Sequence, residues 1–232
     1  MKTTRSFTLL ALLMVFAMSC HNQKTTINGH DYVDLGLPSG TLWATCNVGA
    51  EAPEDYGDYF SWGETKTKDI YDWDTYKYAN GSYNMITKYC NNSLFGNNGF
   101  TDTLTILQTD DDAAAANWGN GWLTPSYEQW YELLQNTTNK WTVLNGIEGR
   151  LFTAKNGQTL FLPAAGNRLG NELVAAGSSG FYSSRSRFRN NPLHVWGLVI
   201  RSEELDLYDD YCYVDYGCRQ DGLSVRPVCS KN

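Results

Sequence analysis

"WGNGWLTPSYEQWYELL", residues 118–134, is the stretch on which the fold turns. Thr124 can cap the start of a helix, Pro125 suits a first position whose N–H needs no partner, and Glu128 adds a first-turn acid. Trp130, Leu133 and Leu134 fall on one face, so the segment reads as a short amphipathic helix with a stiff approach. Its tryptophans belong to the scaffold. Just upstream, "DDDAAAANWG" (110–119) reads as a second short helix with acids in its first turn. Asp110, Asp111 and Asp112 lack the alternating spacing of a calcium loop, and helix-start electrostatics account for them. Downstream, "GIEGRLFTAKNGQTLFLPAAGNR" (146–168) reads as two strands across a turn at Lys155, Asn156 and Gly157.

Further strands are expected at 41–48, 196–200 and 223–228, separated by polar, aromatic loops. The segment 55–74 is such a loop, with Trp62 and Trp73 expected to pack rather than to bind. The fold class is therefore α+β: small twisted antiparallel sheets, one or two short helices and long loops.

The first nineteen of the 232 residues stand apart. Lys2 and Arg5 precede an apolar run (6–18) too short for a permanent membrane span, and Ser19 precedes Cys20. This is the layout of a bacterial lipoprotein signal, with Cys20 the lipidated residue. The expected organisation is a signal at 1–19, a lipidated tether at 20–30 and one domain at 31–232. Removing 1–19 takes away Lys2 and Arg5 and no acid, so the net charge of −7 becomes −9. Such a chain is a poor partner for nucleic acid, which needs basic residues to neutralise phosphates. An outer-membrane lipoprotein is expected, on the cell surface or the periplasmic face, monomeric and held by its lipid.

Cys46, Cys90, Cys212, Cys218 and Cys229 show no CxxC spacing, which argues against structural zinc. There is no GxSxG, HExxH or phosphate loop, so no enzyme, cofactor or metal is expected.

Five motifs in order, "VDLGLPSGTLWATCNVGA", "PEDYGDYFSWGET", "DDAAAANWGNGWLTPSYEQW", "LPAAG" and "GLSVRPV", resemble the Fibrobacter succinogenes major paralogous domain across residues 32–228. The resemblance implies a C-type lectin-like fold related to the sulfatase-modifying, formylglycine-generating enzymes. It also implies that the terminal strands meet, which makes Cys46 and Cys229 candidates for a disulfide. The Glu-Pro-Asn, Gln-Pro-Asp and Trp-Asn-Asp signatures of calcium-dependent sugar sites are missing. An alternative is a copper-dependent oxidase using Cys212 and Cys218, although five residues separate them where the related enzymes have four. A structural envelope protein without a specific ligand is a third reading.

Residues 185–223 scatter Tyr, Asp, Asn, Arg, Ser, Cys and His over a sparse skeleton, a layout similar to the variable proteins of diversity-generating retroelements. Glu203, Glu204 and Gln220 do not fit adenine-directed change of an Asn codon. Aromatic and polar loops on a rigid scaffold resemble the physics of an antibody paratope. The expected contacts to an extracellular protein or glycan are Arg187, Arg189, Asn191, His194, Arg201, Tyr208, Tyr211 and Tyr213.

Overall fold

The computed structural model describes residues 25–119, 121–202 and 211–231; Cys20 and Tyr208 lie outside them. The helix of the opening stretch, α2 (Tyr127–Asn136), forms, but it starts two residues later than expected. Its cap is Ser126, whose hydroxyl accepts from Gln129 N–H while the Gln129 side chain accepts from Ser126 N–H. Thr124 does not cap. Its backbone N–H and hydroxyl both donate to the buried carboxylate of Asp112. Asp112 in turn caps α1 (Ala113–Trp118), accepting from Ala114 and Ala115 N–H. One carboxylate thus ties the start of α1 to the approach of α2.

Four sheets surround these helices, nearly all of them antiparallel. The first contains β1 (Thr26–Ile27), β2 (His30–Asp34), β3 (Thr41–Ala44) and β14 (Val228–Ser230), in that order. The opening strands meet the closing one, as the resemblance implied. Residues 26–30, expected to be tether, belong to this sheet. His30 stacks on Trp118 with ring centroids 3.7 Å apart, and Trp122 Nε1 donates to Ile27 O.

The second sheet has the order β12 (Cys212–Cys218), β11 (His194–Arg201), β10 (Ser179–Arg187), β13 (Leu223–Ser224) and β4 (Tyr59–Phe60). Only β11 and β13 coincide with expected strands; β10 and β12 fall where loops were expected. A third sheet is the meander of β5 (Thr137–Leu144), β6 (Ile147–Ala154) and β7 (Thr159–Pro163). Its second hairpin is the expected one at Lys155, Asn156 and Gly157. Its first turns on Asn145 and Gly146, both at positive φ, which suits the right-handed strand twist. A small ribbon, β8 (Asn167–Leu169) with β9 (Glu172–Val174), completes the set.

Trp130 and Leu133 of α2 pack into the main core with Trp43 of β3, Phe152 of β6, Leu160 of β7 and Leu198 of β11. A second cluster joins Trp118 and Trp122 to Leu42, Phe60 and Val225. A third lies under the long loops, where Trp62, Tyr76, Tyr78, Ile86 and Tyr89 pack against Val195 and Leu223. The tryptophans of the opening stretch are scaffold, and Trp62 is core.

Candidate ligand-binding groove

The β11–β12 hairpin runs past the first turn of α2, and the exposed flank of the helix meets the end of the sheet there. Tyr127 and Tyr131 are four residues apart on α2 and stack at 6.2 Å. On β11, His194, Trp196 and Leu198 share a face because strand side chains alternate. Leu198 is buried in the main core, whereas Trp196 is only half-buried and packs on Tyr127 at 4.7 Å. Tyr216 of β12 lies opposite Trp196 in register. Phe188, just beyond β10, stacks on Tyr216 at 4.3 Å and meets Trp196 edge-on at 4.9 Å. The result is a continuous aromatic run, Tyr131–Tyr127–Trp196–Phe188–Tyr216.

Three of these rings, Tyr127, Phe188 and Trp196, line a groove of about 720 Å³ whose lining also includes Asn91, Thr105, Glu128, Ser186, Arg187 and Arg189, while Tyr131 and Tyr216 continue the run beyond it. Ser186 accepts from Tyr127 N–H and so fixes the start of α2 against β10. Arg187 is 3% exposed, with its guanidinium donating to Leu104 O, Asn91 Oδ1 and Phe188 O. Burial, and then the nearby Arg219, lower its pKa, although a guanidinium stays charged.

The expected contact residues divide. Arg187 and Arg189 line the groove, Arg187 as buried floor rather than exposed loop, whereas His194 lies outside its lining and packs against Tyr216 at 5.1 Å. Asn191 is occupied in a turn, its side chain accepting from Leu193 N–H. Tyr211 is next to Cys212 at the opposite end of the β11–β12 ladder from His194, roughly 20 Å away along the strands. Arg201 and Tyr213 pack together at 5.6 Å, and their odd positions put them on the other face of the sheet from Trp196. They are not part of one surface with His194. Tyr127, Phe188 and Trp196, which line the groove, were not among the expected contacts. A spacing of four between Tyr127 and Tyr131, off the apolar stripe of α2, is the signal that marks the helical part.

Among the described residues, Cys46, Cys90, Cys212, Cys218 and Cys229 are free thiols. The expected Cys46–Cys229 bond does not form: Cys229 pairs with Leu42, whereas Cys46 lies beyond the end of β3. Cys212 and Cys218 sit at opposite ends of β12 and cannot share one copper ion. No group of three metal-ligating side chains occurs among the described residues. Asp111 is instead held by Lys77, Lys88, Tyr78 and Tyr89. Burial alone would raise its pKa, but these hydrogen bonds outweigh it and hold the carboxyl well below the usual range.

No protein-family model, curated protein or solved structure matches the chain.

Proposed function

We propose that this is a lipid-anchored envelope protein with a C-type lectin-like domain that binds an extracellular ligand at the aromatic groove, without catalysis. The supporting observation is the continuous run of five rings beside an open, polar-rimmed groove of about 720 Å³. Concave sites that combine aromatic walls with a few placed polar groups are the usual form of a ligand site. Two of the rings, Tyr131 and Tyr216, are about half exposed, and burial in the core does not explain them. The lipoprotein signal and the family resemblance support the location and the fold. Retroelement diversification of residues 185–223 would place variation on the groove wall at Phe188, Arg189 and Asn190.

The test is binding of the purified protein to arrayed glycans and extracellular proteins. Joint replacement of Tyr127, Phe188 and Trp196 by Ala should abolish capture, while Arg201→Ala with Tyr213→Ala should leave it unchanged. The reverse pattern would move the binding face to the other side of the sheet.

A further inference from the structure

The charge of the groove runs against that of the chain. The protein carries a net charge of −7, yet the groove lining holds two arginines and a single acid, Glu128. Arg187 is a buried cation bonded only to neutral oxygens. The nearby acid, Asp102, is engaged by the backbone N–H groups of Tyr89, Cys90 and Leu104. Arg189 stands exposed on the rim, and its side chain forms no hydrogen bond or ion pair with the described residues. Asp102 supplies part of the countercharge but forms no direct ion pair with Arg187, so an anion bonded to the guanidinium from the groove would be stabilised further.

The rest of the wall selects the kind of anion. Aromatic faces carry negative charge density and attract the polarised C–H groups on the flat face of a sugar ring. Asn190 and Thr105 on the rim each donate and accept, as sugar hydroxyls do. The groove is open, and its wall offers flat aromatic faces on which a ring can lie. Resting on the reading of the groove as a ligand site, we infer that its ligand is an acidic saccharide. One sugar ring stacks on Trp196 with Phe188 at its edge, and its carboxylate meets Arg189 and the Arg187 floor.

Calorimetric titration of the purified protein with tetragalacturonic acid and with 3′-sialyllactose, each against its methyl ester, tests the inference. At least one acid should bind about tenfold or more tighter than its ester, as a charge-assisted contact requires. That preference should shrink in about 0.5 M salt. Arg189→Gln should reduce the preference without changing the melting temperature, and Trp196→Ala should remove binding of acid and ester alike. Because Arg187→Gln could unfold the floor, Arg187→Lys serves as its check and should retain part of the preference. Equal affinity for acid and ester, no binding of either sugar, or equal binding of a tetraglutamate peptide would each overturn the inference. If the groove variants still abolish capture of another ligand on the arrays, only the ligand class falls, and the groove itself stands.

Discussion

At the residue scale, charges placed where most proteins put hydrocarbon hold the molecule together. Arg219 is fully buried between Trp62 and Tyr76, with ring centroids 4.9 and 5.1 Å away, and donates to Tyr76 Oη and to the carbonyls of Tyr89, Pro192 and Lys88. It acts as a post under three loops that have little regular structure to satisfy their carbonyls. Asp221 is a different case. Burial pushes its carboxyl up to about 7, and its one hydrogen bond comes from Gln220 Nε2. A carboxyl raised above its unfolded value favours the fold in acid and loses that contribution as pH climbs from about 4 through 7. Asp221→Asn should therefore raise the melting temperature at pH 8 and change it little at pH 4, a difference worth at most about 4 kcal/mol. Equal effects at both pH values in scanning calorimetry would show that Asp221 is not the titrating group.

At the scale of elements, legibility depended on whether local chemistry or distant contacts shaped the segment. The β6–β7 hairpin was legible because Asn156 and Gly157 specify the turn themselves. α2 was legible in its stripe but not in its cap, since Asp112, twelve residues earlier, claims Thr124. Ser126→Ala should cost about 1 kcal/mol as a lost cap, and Thr124→Val about 1–3 kcal/mol because it leaves a buried carboxylate short of a donor. Urea midpoints that rank the two in reverse would restore Thr124 as the cap. β10 was not legible: Ser179, Ser183, Ser184 and Ser186 read as loop, yet all four are buried in close packing. The groove was half legible for the same reason. Arg189 advertises itself as a polar residue in a variable stretch, but Tyr127, Phe188 and Trp196 come together only through the pairing of β10 with β11 and the docking of α2.

At the scale of the whole molecule, the first sheet draws its strands from both ends of the described chain. β14 pairs with β3 and is also bridged to Leu123, with Leu123 and Val228 exchanging both backbone hydrogen bonds. Arg226, fully buried, donates to Asn47 Oδ1 and to Ala44 O, a residue 182 positions away. The main core and the second cluster both take residues from 225–229. Contacts so distant in sequence make for slow assembly, because loop closure must be met before they form. A chain ending at residue 222 should therefore show no cooperative thermal transition by near-ultraviolet circular dichroism. A sharp transition in that fragment would mean that the earlier sheets fold without the closing strand. On the proposed export of the chain, this topology would act as a timer. While residues 223–230 are still inside a translocation channel, the half already across has nothing to close upon. On that reading it would stay threadable until the last strand emerges and fold only on the far side of the membrane.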